Sequence, residues 1–352
     1  MLQILKKNRN PFAYKNNLCY KPNIMEKLIE NKSGDSPLVL SMPHSGLMDP
    51  KNLPEPIKDN YKTDERGIES TIKGADYAVP DITNFHLQNE HSRVSTNLPR
   101  VCLDVNRSID EVDGISVEGG GEPGHANGLI WWAPLEKIDK FDIPEEEQNN
   151  RLRRRLLENP LLKRPYTKQE FQEILSFAYN PYIEAINLKI REALEKHGLA
   201  VLLDLHTLPG NEVSVVQPIN AYFAKEEAVR GRNPGEMPDL ILITNEGKSC
   251  HPKISEIITE TFEKAGLIVA PGKGPFKGDH GSTALYADPA EGKHVVGMEF
   301  VGHDIEKGRT RGEITLSSEQ KAIRYIRSVY NKMFSRLANL KKQNLPWKKG
   351  LL

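Results

Sequence analysis

Two apolar runs in this chain end on a histidine. Leu38-Val39-Leu40-Ser41-Met42 stops at Pro43-His44-Ser45-Gly46, and Leu199-Ala200-Val201-Leu202-Leu203-Asp204-Leu205 stops at His206. Each reads as a buried strand that delivers an imidazole to its carboxyl end, the rim of an open α/β sheet where ligands bind. Two imidazoles and a carboxylate are a common protein ligand set of a hydrolytic zinc ion, which keeps its fourth position for water. Such an ion lowers the pKa of that water and polarises the bond to be cut. Asp64 or Glu65 supplies the carboxylate, although acids in Thr63-Asp64-Glu65-Arg66-Gly67 equally suit a helix N-terminus. Asp204 lies two residues before His206, on the same strand face, and is placed to orient that imidazole. Glu299 interrupts the apolar run Val296-Gly297-Met298-Glu299-Phe300-Val301. An acid there is costly to bury unless it is paired or working, so Glu299 is the candidate base for the water. Arg107 closes Leu98-Pro99-Arg100-Val101-Cys102-Leu103-Asp104-Val105-Asn106-Arg107. It is suited to a two-pronged grip on a substrate carboxylate, with an ion pair to Asp104 as the structural alternative. Read as a strand, that run places Asp104 and Asn106 on one face.

The remaining pattern alternates strands and helices, which predicts an α/β fold with a mixed central sheet flanked by helices. A strand is expected around Tyr77 to Ile82, others at Leu240 to Thr244, Leu267 to Ala270 and His294 to Val301. The capping box Thr167-x-x-Glu170 opens a helix that ends at His197-Gly198, with Pro181 kinking or dividing it. Helices are also expected from His251 to Ala265 and after the capping box Ser317-x-x-Gln320. The connection 108–165 carries Trp131-Trp132 and reads as an ordered flap. Its Gly119-x-Gly121-x-x-Gly124 has neither the preceding strand nor the following helix of a dinucleotide site. The turn Gly272 to Gly281 lacks a P-loop ending, and no Gly-x-Ser-x-Gly nucleophile elbow is present. Residues 36–340 read as a single catalytic domain, with a polar extension over 1–35 and a basic tail over 341–352.

Bulk composition narrows the function classes. Apolar residues make up 38% of 352 positions, enough for a sizeable core, and the formal net charge is zero, so nothing argues for nucleic acid or a membrane surface. Three scattered cysteines do not make a disulfide framework, and Cys102 reads as a small core residue. No run resembles a signal peptide or a membrane span, so a cytoplasmic protein is expected.

Taken in order, Pro43-His44-Ser45-Gly46, Glu65-Arg66-Gly67, Arg100 through Asp104-Val105-Asn106-Arg107, Gly128-Leu129, Pro181-Tyr182, Asp204-Leu205-His206-Thr207 and Met298-Glu299-Phe300 resemble the N-formylglutamate amidohydrolase family. The resemblance implies a fold like that of zinc carboxypeptidases and acylamino-acid deacylases (phosphorylase/hydrolase-like). It implies one zinc per chain on His44, Glu65 and His206, with Glu299 promoting water attack. It implies that Asn106 and Arg107 hold the substrate carboxylate, with Arg100 beside them and Asp104 and Asp204 behind the ligands. The activity implied is hydrolysis of a formyl amide from N-formyl-L-glutamate in histidine breakdown. The chain departs from the family pattern at Phe300-Val301, which follows Glu299, and in the turn Lys277-Gly278-Asp279-His280-Gly281. There His280 is either a contact to substrate or leaving group, or a surface residue. A metallo-carboxypeptidase or cell-wall peptide amidase with the same site, and a non-catalytic relative, are the rival readings.

Overall fold

The computed structural model describes residues 28–49, 52–62, 64, 67, 70–71, 74–76, 78–121, 128–131, 160–208, 238–273, 276–279, 281–301 and 316–345. Seven strands form one mixed sheet: β1 (Ile29–Lys32), β2 (Leu38–Met42), β3 (Ser92–Thr96), β4 (Ala200–Leu208), β5 (Leu240–Ile243), β6 (Val269–Pro271) and β7 (Lys293–Val301). Their order across the sheet is β1-β3-β2-β4-β7-β5-β6. The central strands β3, β2, β4 and β7 run parallel, so their carboxyl ends share one rim. β1 and β5 are antiparallel to their neighbours β3 and β7. β1 draws residues 29–32 of the expected N-terminal extension into the sheet edge.

The strand alternation sorts two cores. Leu38, Leu40, Val201, Leu203, Leu205, Val296, Met298 and Phe300 point to one face. They pack with α1 (Val79–Thr83), α4 (Pro252–Glu263) and α5 (Leu316–Ala338). Ile323, Ile326, Tyr330, Met333 and Leu337 form the buried stripe of α5, spaced for one helix face. The side chain of Ser317, at the expected capping box, lies outside the described residues. The opposite face carries Val39, Ala200, Leu202 and Val295 against α3 (Asn180–His197) and α2 (Lys168–Ile174). Each fully buried leucine contributes about 1.5–3 kcal/mol relative to exposure. On this second face the apolar rows give way, toward the strand ends, to Ser41 on β2, Asp204 and His206 on β4, and Gly297 and Glu299 on β7. The same alternation that builds the core thus delivers polar groups in register at one rim.

Two expected strands are corrected. In place of the strand expected around Tyr77 to Ile82, Val79–Thr83 form the helix α1, because Pro80 has no N–H for a ladder and suits a first helical turn; Tyr77 lies outside the described residues. Leu98 to Arg107 is a chain of turns rather than a strand, with Cys102 N bonding Pro99 O at 2.9 Å and Arg107 N bonding Asp104 O at 3.0 Å. Pro99 ends the extended run there. The strand in this region is β3, Ser-Arg-Val-Ser-Thr, buried along its length although mostly polar.

The capping box is present in full: Thr167 Oγ1 accepts from Glu170 N at 3.2 Å, and Thr167 N donates to Glu170 Oε2 at 2.8 Å. Between α2 and α3, Leu175–Tyr179 forms a π-helical turn just ahead of Pro181. The wider turn absorbs the proline without breaking the helix. Gly198, with φ of 69°, closes α3 in the left-handed conformation that glycine adopts without steric cost. No helix among the described residues is long and apolar enough to cross a membrane.

Candidate metal centre

His44 lies two residues beyond β2, and His206 stands in β4 opposite Glu299 of β7. The third group they meet is Asp76, at the entry to α1. A backbone bond from Asp76 N to His44 O (2.8 Å) docks that entry on the loop after β2. His206 Nδ1 is 3.0 Å from His44 Nδ1 and 3.0 Å from Asp76 Oδ2, and His44 Nδ1 is 3.4 Å from Asp76 Oδ2. All three residues are buried.

The outer nitrogens explain the inner ones. His44 Nε2 donates to Asp104 Oδ1 at 2.7 Å, and His206 Nε2 donates to Asp204 Oδ2 at 2.9 Å. A carboxylate only accepts, so each Nε2 carries a hydrogen, and each Nδ1 faces inward, where it holds a proton or, in a neutral ring, offers its lone pair. Two inward nitrogens and a carboxylate oxygen within 3.4 Å of one another repel unless a proton or a metal cation lies among them. Ligand atoms at zinc-bond lengths on tetrahedral vertices are about 3.3 Å apart. The observed triangle therefore fits such an ion in charge, donor type and size.

The rest of the rim is crowded with hydrogen bonds. Asp104, fully buried, also accepts from Arg100 Nε at 2.9 Å and from Asn106 N at 3.1 Å, with Arg107 Nε 3.7 Å away. The Arg100 guanidinium lies 5.1 Å from the centre of the Trp131 ring, a cation–π contact. Asp204 accepts from Ser41 Oγ on one oxygen, at 2.7 Å. Its other oxygen takes Asn106 Nδ2 at 2.8 Å and Ser282 Oγ at 2.7 Å as well as His206. The π-helical turn aims two tyrosines at this rim: Tyr179 OH donates to Arg107 O at 2.9 Å, and Tyr182 OH pairs with Ser41 Oγ at 2.8 Å.

These groups surround a cavity of about 210 Å³. Arg100 and Arg107 line it together with His44, His206, Asp204 and Glu299, and Ile243 and Phe276 give it an apolar side. Gly297 also lines it and lets Ile243 pack close, since a Cβ there would lie 3.0 Å from Ile243 Cβ.

Electrostatics divides the four acids. Burial opposes charge on Asp76, Asp104 and Asp204. Asp76 is nevertheless held below the usual carboxylate range by His206 and His44, Asp104 well below it by His44 and Arg100, and Asp204 by His206, Ser282 and Ser41. For Glu299 burial wins, aided by Asp76 and opposed by His206, Arg100 and His44, and its pKa rises. Burial disfavours the His206 imidazolium, yet Asp204, Asp76 and Glu299 outweigh it and raise that pKa well above the usual value. Environments that push neighbouring carboxyls apart in this way separate fixed charges from a group that exchanges protons.

Of the residues singled out from sequence, His44, His206, Asp204, Asp104, Asn106, Arg107, Arg100 and Glu299 converge here. Asn106 spends its side chain on Asp204 and on Ser282 N, which it meets at 2.8 Å. Asp64 is exposed and accepts from Gly67 N at 3.0 Å, as a turn cap does. Glu65 and His280 lie outside the described residues. Asp76 was not among the sequence candidates. Its signal was the one that marked Glu299: an acid set among apolar neighbours, here Ala75, Ala78 and Val79. Ser41 and Ser282 were missed because hydroxyls inside strands and turns carry no distinctive pattern.

A mixed sheet with a buried His-Asp-His group at the rim of its parallel strands is arranged as a metal-binding α/β protein would be. The N-formylglutamate amidohydrolase family profile matches residues 36–303, and the chain belongs to that family. It is 25% identical over 278 residues to the N-formylglutamate deformylase of Pseudomonas putida, covering 78% of this chain and 84% of the relative. With a protein of the same description from Pseudomonas aeruginosa it shares 22% over 279 residues, at the same coverage. The crystal structure of N-formylglutamate amidohydrolase from Ralstonia eutropha JMP134 has the same fold, with a TM-score of 0.61 at 19% identity, over 88% of this chain and 98% of that one. The chain is therefore a hydrolase of carbon–nitrogen bonds other than peptide bonds.

Proposed function

We propose that this chain is a zinc-dependent amidohydrolase that cleaves the formyl amide of N-formyl-L-glutamate, releasing formate and glutamate. The observation that carries the metal is the triangle of His44 Nδ1, His206 Nδ1 and Asp76 Oδ2, with both imidazoles backed by buried carboxylates. The substrate follows from family membership and from the deformylase names of the two Pseudomonas relatives. Zinc held by His44, His206 and Asp76 would lower the pKa of a water and polarise the formyl carbonyl.

The chain's own residues supply the rest. Glu299, its pKa raised by burial, takes a proton from the attacking water and returns it to the departing amine. Arg107 draws the substrate carboxylate to the cavity wall, and Arg100 adds positive field beside it. Asp104 fixes His44, and Asp204 fixes His206. Asn106 serves by bracing Asp204 rather than by holding the substrate.

The test is formate release from N-formyl-L-glutamate, measured beside N-acetyl amino acids and short peptides, before and after metal removal. We expect activity on the formyl substrate that disappears with the metal and returns with zinc. Glu299→Gln is expected to keep its metal and lose about 10²–10⁴-fold in kcat. Turnover by a protein fully stripped of metal would overturn the proposal.

A further inference from the structure

A turn that lines the cavity with Gly278, Gly281 and Ser282 is bonded to the carboxylate behind His206. Gly281 (φ of 68°) brings this turn so close to Asn106 that a Cβ at residue 281 would lie 3.2 Å from Asn106 O and Oδ1. The next residue, Ser282, is buried and makes two bonds at once. Its N–H donates to Asn106 Oδ1 at 2.8 Å, and its Oγ donates to Asp204 Oδ2 at 2.7 Å. That Asp204 oxygen is the one that accepts from His206 Nε2. The hydroxyl that meets Asp204 therefore also anchors the turn.

Resting on the metal reading above, we propose that Ser282 is a positioning residue for the metal: it pins Asp204, the acceptor that holds His206 Nε2 and so keeps Nδ1 turned toward the ion. Asp204 Oδ2 carries three donors, and each has a distinct anchor. His206 comes from the same strand, Asn106 from the turns after β3, and Ser282 from the cavity turn. Without the Ser282 hydroxyl, Oδ2 keeps Asn106 Nδ2 and His206 but loses its anchor to the cavity turn, while Ser41 still holds the other oxygen at 2.7 Å. The acceptor that fixes the tautomer and ring angle of His206 would then be held less firmly. Among the described residues, no other bond runs directly from this turn to Asp204. Thr283, the next residue, bonds instead to Gly278 O at 2.6 Å and holds the turn's own shape. This separates the two roles: Thr283 shapes the turn, and Ser282 connects it to the metal ligand.

The experiment measures zinc affinity by chelator competition, and the absorption spectrum of the cobalt-loaded protein, for wild type, Ser282→Ala, Ser282→Cys and Thr283→Ala. Thermal unfolding of the metal-free proteins reports on folding. Loss of an outer partner of a metal-binding histidine lowers affinity about 10–100-fold. Ser282 acts one bond further out, so we expect about a tenfold loss in Ser282→Ala with a shifted cobalt spectrum. Ser282→Cys, which retains a weak donor, should fall between it and wild type, and Thr283→Ala should bind zinc as wild type does. Should Ser282→Ala not fold, Ser282→Cys carries the same comparison. Wild-type affinity and spectrum in the Ser282 variants would overturn the proposal, as would an equal loss in Thr283→Ala. Failure of the wild-type protein to bind zinc at all would instead refute the metal reading on which it rests.

Discussion

The two histidines are held by the same device in opposite electrostatic surroundings. His44 donates to Asp104, whose remaining partners are cationic or backbone: Arg100 at 2.9 Å, Arg107 at 3.7 Å and the Asn106 amide. His206 donates to Asp204, whose remaining partners are the neutral side chains of Ser41, Asn106 and Ser282. A carboxylate ringed by arginines is held by charge and shares those arginines with whatever enters the cavity. A carboxylate ringed by hydroxyls and an amide is held by geometry. On the proposed reading, one arm links the metal to the substrate's charge, and the other links it to the shape of the cavity turn.

The sharpest way to break this picture is at Asp76, the third ligand proposed above. Asp76→Ala should abolish stoichiometric zinc binding and with it turnover, measured by metal analysis after dialysis. Glu65→Ala in the same assay should retain its zinc, and loss of the metal there would return the carboxylate role to Glu65. Next in size is the contrast between the arms. Asp104→Asn and Asp204→Asn should each weaken zinc binding about 10–100-fold. Only Asp104→Asn should also change KM, because it releases Arg100 and Arg107 from their common acceptor. Equal KM in the two variants would erase the proposed difference. Arg107→Ala should raise KM by about 5–150-fold, the loss of a charge-assisted bond of roughly 1–3 kcal/mol, with zinc affinity unchanged. Arg107→Lys should restore little of it, since an ammonium lacks the planar fork. The smallest effect belongs outside both arms. Thr167→Ala, which removes the cap of α2, should cost about 1 kcal/mol of stability in denaturant unfolding and leave zinc affinity and KM alone.

Much of this site was legible in the sequence because strand alternation is a strong signal. His44, Asp204, His206 and Glu299 each stand where an apolar run meets a polar residue at a strand's carboxyl end, and parallel pairing of β2, β4 and β7 gathers those ends. Asp76 escaped because its neighbourhood was read as a strand, and Pro80 in fact starts a helix there. β3 escaped for the opposite reason. Its polar side chains are buried, and several find partners: Ser92 Oγ accepts from Gly34 N, and Arg93 Nη1 donates to Phe85 O, although Arg93 Nε has none among the described residues. A strand this polar looks like a loop in composition. Ser41 and Ser282 escaped because their role is defined by which oxygen of Asp204 they meet, and pairing across 163 and 78 positions has no local trace.

The π-helical turn at Leu175–Tyr179 sets the rotational phase of everything in α3 that follows it. An α-helix advances about 100° per residue. Removing one residue within that turn would give a more regular helix. The same deletion would swing Tyr182 about 100° away from Ser41 and carry the apolar stripe off the sheet with it. Helical regularity and a working rim are thus in competition at this one turn, and the chain has kept the extra residue that favours the rim.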